Sequence, residues 1–431
     1  MQLEIPGFVG FIIKRLNQSG HQAYLVGGAV RNAVLKQPVI DWDIATSASR
    51  GEIRKAFSDT RLFALKQGTV TLVDSTGHFE VTAFRGEKNC LEDDLARRDF
   101  TINAMAYDME NGELIDLFGG IADIELKRVR AVGDPAIRFR EDPVRLMRAV
   151  RFAVELGFGM ESDTLETLIN LSPIIDLAAP ERIRQEFMKV LMLRKPSSGL
   201  NLMARTGLLE YFLPEILEGR RKRQNDFHRY TIFRHAMETM DRTDPVPLLR
   251  LSALFHDIAK PRVRKKVDGK WRFHGHERAS ADLAEEIMER LRFSREMIRK
   301  VQNLILHHMI DYAPAWSDAA VRRLIRRSGP ESINDLIMLR RADLLAHGPG
   351  NKEANLLEDL EVRIREQLRR GMATETKDLA IDGREVMEVL GIAPGPMVGK
   401  ILKELMEKVI EDPELNDRAR LTAILERSLS P

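Results

Sequence analysis

The spacing of apolar positions changes once along this chain, near residue 138. Before that point, short runs of different character alternate. Residues 7–19 read as a helix, and Ala23 to Val26 as a short apolar run ending in Gly27-Gly28. Residues 29–35 read as a second helix and Trp42 to Ala45 as a strand. Segments 69–73 and 79–84 are rich in β-branched residues, as strands are, with Ser75-Thr76-Gly77 as the turn between them. This is an α+β pattern. From about residue 139 the period is helical almost to the end, with Leu146, Ala149, Val150 and Ala153, then Ile183, Phe187, Val190 and Leu191, on single faces. Pro173, Pro180, Pro196 and Pro214 punctuate short helices. A histidine-containing helical block fills 228–348, and Gly348-Pro349-Gly350 marks a joint. A charged helix over 355–370 follows, and Pro396 suits the first position of another near 396–410.

Composition narrows the class. A chain of 431 residues exceeds one compact core, so roughly two to four domains are expected. No apolar run approaches the roughly 20 residues that span a bilayer. The N-terminus lacks a basic segment and a small-residue cleavage site, which points to the cytoplasm. Cys90 is the single cysteine, excluding an intrachain disulfide and a cysteine-rich zinc site. The net charge of +2 is no nucleic-acid signature, but basic runs stand at Arg220–Arg223 and Arg262–Lys266. They read either as solvated faces or as phosphate contacts.

The chemistry concentrates near the N-terminus. Gly27-Gly28 between a strand and a helix lets backbone approach a polyphosphate, and Arg31 adds charge. Asp41 and Asp43 stand at i and i+2, so on a strand both carboxylates project from one face. With Glu80 from a neighbouring strand they form a set of acids suited to two Mg²⁺ ions and in-line attack at a phosphate. Arg98 and Asp99 suit triphosphate and ribose contacts. Downstream, Asp142 and Pro143 start a helix on which Arg145, Arg148 and Arg151 recur every third residue. Asp142 can accept from an exocyclic amino group while Arg145 donates to a ring acceptor. That pairing fits cytosine and adenine and opposes guanine and uracil.

The ordered set Gly27-Gly28-Ala29-Val30-Arg31, Asp41-x-Asp43, Arg97-Arg98-Asp99, Asp116-Leu117-Phe118-Gly119-Gly120, Glu141-Asp142-x-x-Arg145 and Glu181-Arg182-Ile183 resembles the class II bacterial tRNA nucleotidyltransferases and poly(A) polymerases. The resemblance is close over residues 20–215. It implies an α+β, polymerase-beta-like head (1–138), then an all-α neck that reads the base (139–220), an HD-type body (221–350) and a tail that contacts tRNA (351–431). It implies CTP or ATP as substrate and the acceptor and TΨC arms of tRNA as partner. The metal carboxylates fall on Asp41 and Asp43, the triphosphate and sugar contacts on Gly28, Arg31, Arg98 and Asp99, and the base-reading pair on Asp142 and Arg145, with Arg148 and Arg151 in support. Two departures stand out. Asn32 replaces the family's usual acid, and only Gly86-Glu87-Lys88-Asn89-Cys90 joins Phe84-Arg85 to Leu91. Full CCA-adding relatives carry a longer flexible loop there, which helps the pocket switch from CTP to ATP. The short form is the hallmark of CC-adding members, so a CTP:tRNA cytidylyltransferase is expected, with a separate A-adding enzyme as functional partner. A complete CCA-adding enzyme, an A-adding enzyme, a poly(A) polymerase and a hydrolase or RNA-binding protein with a relict head remain the alternatives.

Eight of the ten histidines lie between 228 and 347. His235, His256-Asp257, His276, His307-His308 and Asp343 resemble the order of an HD-type metal domain. His235, His256, Asp257, His276, His307 and Asp343 are the candidate ligands of a second divalent metal. The implied activity is a phosphomonoesterase or 2′,3′-cyclic phosphodiesterase. A structural HD fold without activity is the alternative.

Overall fold

The structure, a computed structural model, describes residues 4–39, 41–60, 62–64, 69–73, 77–223, 230–347 and 352–427. Ser75 and Thr76 of the expected turn, and the Gly348-Pro349-Gly350 joint, lie outside the described residues. The chain divides into two compact units, residues 1–190 with 198–212, and residues 191–197 with 213–431.

The first unit is built on a seven-stranded sheet. Its strands are β1 (Ala23–Val26), β2 (Asp43–Thr46), β3 (Leu62–Ala64), β4 (Thr69–Val73), β5 (His78–Ala83), β6 (Met105–Asp108) and β7 (Glu113–Asp116), in the order β3-β4-β5-β2-β1-β6-β7. β2 and β5 are parallel; the other neighbouring pairs are antiparallel. A parallel pair needs a crossover, here supplied by the helix Arg50–Ala56 and the β3-β4 pair. The helix Gly7–Gln18 buries Val9, Ile12, Ile13 and Leu16, a single 3.6-period stripe. The strand expected at 42–45 begins one residue later, so Trp42 is buried just outside it and Asp41 is exposed. The helix Val144–Leu156 buries Leu146, Ala149, Val150 and Ala153 as its periodicity predicts, and ends at Gly157 in the left-handed region.

The second unit is helical. The helices Ile232–Asp241, Pro247–Phe255, His276–Arg290, Arg295–His307 and Ile333–Ala346 carry the histidine block. Toward the C-terminus, the helices Gly383–Leu390, Pro396–Glu411 and Arg418–Arg427 share a core of Val386, Leu405, Met406, Val409, Leu421 and Leu425. Arg322 donates from Nε to the Ile410 carbonyl at 2.6 Å and from Nη2 to the Glu411 carbonyl at 2.8 Å. A cation thereby caps the negative end of the helix Pro396–Glu411. One element escapes the periodicity reading. The basic run near 262–266 continues into a two-stranded hairpin, Lys265–Val267 with Lys270–Arg272. Asp268 and Gly269 turn it with φ of 48° and 77°, the left-handed pair that a two-residue hairpin loop requires.

Candidate functional site

The acidic group forms where β2 meets β5. Asp43 and Glu80 are direct partners in the parallel register, so their side chains share a face of the sheet. Asp41 precedes β2 by two residues. Burial raises the pKa of Asp43, Arg98 opposes that rise, and the charge of Asp41 adds to it. Burial and the charges of Asp43 and Asp41 likewise raise Glu80. The charge conflict at Asp43 and Glu80 is one that a divalent cation would remove, although among the described residues Asp41, Asp43 and Glu80 are not gathered into a three-ligand cluster.

Gly27 closes this site from the other side. Its φ is +68°, and a Cβ there would stand 3.1 Å from Arg98 Nη1 and 3.2 Å from Asp43 Oδ2. Any side chain would therefore meet both a backbone penalty and a crowded neighbour. Gly28 begins the helix Gly28–Val34 immediately beyond. Arg98 is fixed through Nε and Nη2 on Asp94, at 2.9 and 2.8 Å. Arg31 is buried, and its guanidinium donates to Asn103 Oδ1 at 2.8 Å and to Asn32 Oδ1 at 2.9 and 3.1 Å. Asn32 thus supplies the acceptor that a carboxylate would supply, without the charge.

Asp99, expected against a ribose, is buried among protein donors. Its Oδ1 accepts from the Phe100 N–H and Asn103, and its Oδ2 accepts from Arg148 Nε at 2.7 Å. Burial alone would raise its pKa; the charge and hydrogen bonds of Arg148 hold it well below the usual range. Arg148 also approaches Glu186 at 3.6 Å, and Arg151 donates to Glu186 at 2.8 Å and Glu155 at 2.6 Å. The two arginines therefore brace the helix Val144–Leu156. Glu186, at the centre of that brace, carries no local signal that singles it out from sequence.

Asp142 and Arg145 stand at the start of the helix Val144–Leu156. Asp142 accepts from the Val144 N–H at 3.3 Å and from both terminal nitrogens of Arg182 at 2.8 and 2.7 Å. Arg145 donates to Arg138 O, Glu141 Oε2 and Arg97 O, at 3.0, 2.9 and 3.0 Å. Among the described residues, this leaves one acceptor direction on Asp142, and Nε–H with one Nη2–H on Arg145, for a nucleobase edge. The Glu181-Arg182-Ile183 motif, which had no role of its own in the sequence, thereby gains one through Arg182.

In the second unit, His235, His256, Asp257, His276 and Asp343 come together, as expected. His308, rather than His307, joins them: its Nε2 lies 3.8 Å from Asp257 Oδ1, while His307 is half-buried outside the group. Adjacent helical residues point about 100° apart, so only one of the two can face inward. His347, four residues after Asp343, completes a further set with His235 and Asp343. His256, His276 and His308 each donate Nδ1–H to a carbonyl three residues back, at 2.8, 2.9 and 2.7 Å, which turns Nε2 inward. Burial holds His308 down to about 3 and His347 to about 4. Burial would also lower His256, but the carboxylates of Asp257 and Asp343 push it up to about 10.

Asp257 Oδ1 and His276 Nε2 decide whether a metal fits. Both are buried without a hydrogen-bond partner among the described residues, and they face each other at 3.4 Å. A carboxylate oxygen opposed to an imidazole lone pair is repulsive, and a shared cation converts both into ligands. The donor set fits a divalent transition ion. Lys260, also missed from sequence, sits three residues after Asp257 and donates to its Oδ2 at 2.6 Å.

Three family models match successive parts of the chain. Residues 23–130 match the family described as Poly A polymerase head domain, 157–219 the Probable RNA and SrmB- binding site of polymerase A, and 228–348 the HD domain. The CCA-adding enzyme of Streptococcus gordonii is 31% identical over 96% of this chain and 95% of its own length. This chain belongs to the tRNA nucleotidyltransferase and poly(A) polymerase family. It is accordingly a transferase that binds nucleotide and RNA in tRNA processing, of a family that works with divalent metal. The A-adding tRNA nucleotidyltransferase of Deinococcus radiodurans is 33% identical over 89% of this chain and 91% of its own. The Bacillus stearothermophilus CCA-adding enzyme in complex with CTP superposes with a TM-score of 0.76 at 27% identity, over 99% of this chain and 98% of its own. These relatives differ in the nucleotide they are named for. Among the described residues, no helix is long and apolar enough to cross a membrane.

Proposed function

We propose that this enzyme adds C residues from CTP to the 3′ end of tRNA and leaves the terminal A to a partner enzyme. The observation that carries this reading is the short, anchored segment between β5 and the helix Leu91–Ala96. Asp93 Oδ2 accepts from the N–H groups of Glu87 and Lys88 at 2.9 and 3.2 Å, and Asn89 donates to the Ser47 carbonyl at 3.0 Å. A seven-residue link tied at three points has little freedom to reshape a pocket for a second nucleotide.

In the reaction, the terminal 3′-hydroxyl oxygen of tRNA attacks the α-phosphorus of CTP. The bond from that phosphorus to the oxygen bridging to the β-phosphate breaks, and pyrophosphate leaves. Asp41, Asp43 and Glu80 are the residues that would hold two Mg²⁺ ions, which supply activation of the hydroxyl and neutralisation of the leaving group. Arg98, beside Gly27 and Gly28, meets the triphosphate. Asp142 accepts from the cytosine amino group while Arg145 donates to its ring nitrogen, and Arg182 holds Asp142 in place. Asp99 and Arg148 tie the head to the neck helix so that the acids and the base-reading pair keep their spacing. The helices beyond residue 213 offer tRNA its docking surface along the acceptor and TΨC arms by shape and phosphate contact. Purified enzyme given CTP, ATP and tRNA lacking its 3′ end is expected to stop after two C additions; efficient addition of A to a CC end overturns the assignment.

The orphaned Asp257 Oδ1 and His276 Nε2 favour a second activity, metal-assisted hydrolysis of phosphate esters. His235, His256, Asp257, His276, His308 and Asp343 would hold the metal, and His347 lies within reach. The metal supplies an activated water and charge neutralisation at phosphorus. Substitution of His256 and Asp257 together is expected to remove bound metal and hydrolysis of 2′,3′-cyclic CMP. Retention of both overturns the reading.

A further inference from the structure

The basic hairpin lies in the chain between two residues of the histidine cluster. Lys260 precedes it and His276 follows it. The link is tight at both ends: His276 Nδ1 donates to the Phe273 carbonyl at 2.9 Å, and Lys260 Nζ stands 5.6 Å from the centre of the Phe273 ring. The foot of the hairpin is therefore anchored beside Lys260 and His276.

Its charges are arranged against its own stability. Lys265 and Arg272 are direct cross-strand partners, an unfavourable pairing of like charges. Among the described residues, Lys265, Lys266, Lys270 and Arg272 have no carboxylate within ion-pair distance, unlike nearby Arg262, which pairs with Glu218 at 2.7 Å. By strand alternation, Lys265, Lys270 and Arg272 share one face, and Lys266 and Trp271 share the other. On that second face the Arg264 guanidinium lies over the Trp271 ring, 3.4 Å from its centre. Among the described residues, Arg264 Nε is buried without a hydrogen-bond partner.

We infer that this hairpin is a single-stranded RNA-binding arm, and that the substrate class of the histidine–aspartate cluster is the phosphate-bearing end of an RNA strand rather than a free mononucleotide. The inference rests on the hydrolytic reading of that cluster. Cations on both faces of a narrow ribbon suit a flexible polyanion that can wrap it, whereas a flat anionic membrane meets one face only. A tryptophan with a stacked guanidinium gives bases a platform, the arrangement by which single strands are held without sequence preference. Phosphates along the ribbon offset the repulsion between Lys265 and Arg272.

The test compares the full-length enzyme with a Lys265→Glu/Lys266→Glu/Lys270→Glu variant and with Trp271→Ala, each checked for an unchanged melting transition. Probes are a short single-stranded oligoribonucleotide ending in a 2′,3′-cyclic phosphate, 2′,3′-cyclic CMP, and phosphatidylglycerol vesicles. The ratio of kcat/KM on the oligonucleotide to that on the mononucleotide is expected to fall about tenfold or more in the charge-reversed variant. The salt dependence of oligonucleotide binding should flatten by about 0.7 in log–log slope for each phosphate that the variant no longer engages. A 4-thiouridine oligonucleotide should crosslink to the peptide carrying Trp271, and Trp271→Ala should abolish that crosslink while retaining the salt dependence. An unchanged ratio with unchanged binding overturns the proposal, as does hairpin-dependent binding of vesicles but not RNA. If the wild type hydrolyses neither phosphate substrate, the hydrolytic reading fails and the substrate assignment falls with it. Binding and crosslinking then still report on the RNA arm itself.

Discussion

Asp43 on β2 and Glu80 on β5 face each other as partners in a parallel register, so two carboxylates separated along the chain occupy one patch of sheet. With Asp41 beside them, both have raised pKa values through burial and mutual repulsion. The acids proposed to serve the chemistry therefore work against the metal-free fold.

This predicts opposite effects on activity and stability. Asp43→Asn should lower nucleotide addition by about 10³-fold or more, since it removes charge stabilisation at phosphorus. The same substitution should raise the melting temperature in EDTA. Because folding raises these pKa values, their ionisation costs stability, and stability relative to neutral pH is regained as pH falls through the raised values. Wild-type protein in EDTA should show that gain, and Asp43→Asn a smaller one. A lower melting temperature in the variant contradicts the account.

Arg148 predicts the reverse pH behaviour. Its pairing with Asp99 depresses a buried carboxylate, so the stability it brings is present above the unfolded carboxylate pKa and is lost as pH falls through the folded value. Arg148→Ala should destabilise by about 3 kcal/mol, chiefly by leaving Asp99 buried without its partner. Urea denaturation across the acid range should show a shallower acid limb for the variant.

Arg182 is predicted to act through Asp142. The pair is partly exposed, so its effect on overall stability should be small. Arg182→Ala should lower kcat/KM for CTP by about tenfold and narrow the preference for CTP over UTP, because Asp142 is no longer held against the amino group. Arg182→Lys keeps the charge but not the bidentate geometry and should restore little. Equal loss with CTP and UTP would indicate a merely structural role.

The histidine cluster yields a prediction about protons. His256, pushed up to about 10 by Asp257 and Asp343, carries a proton in the metal-free protein at neutral pH. The stability this brings is present below the unfolded histidine pKa and is lost as pH rises through the folded value. A metal needs the neutral ring, so binding should release up to about one proton per cluster and tighten as pH rises. Calorimetry in buffers of different ionisation enthalpy measures the release. His308→Ala should lower bound metal measured by mass spectrometry; His307→Ala should not.

What the sequence determined by itself is local. The Gly27-Gly28 turn and the stripe from Leu146 to Ala153 are fixed by spacing within one element, where backbone geometry leaves little choice; the i and i+2 spacing put Asp41 near Asp43 but not on the same strand, because β2 begins at Asp43. The Asp268-Gly269 pair is a local hairpin signal of the same kind, masked by the charged run in which it sits. The tertiary structure decided the pairings between elements. It set Glu80 against Asp43, Asp99 against Arg148 across 49 residues, Asp142 against Arg182 across 40, and His235 against Asp343 across 108. It also turned His308 inward and His307 away. Spacing says which residues share a face, but which face packs against which neighbour depends on how the whole core closes. A buried charge then takes whatever partner that closure brings.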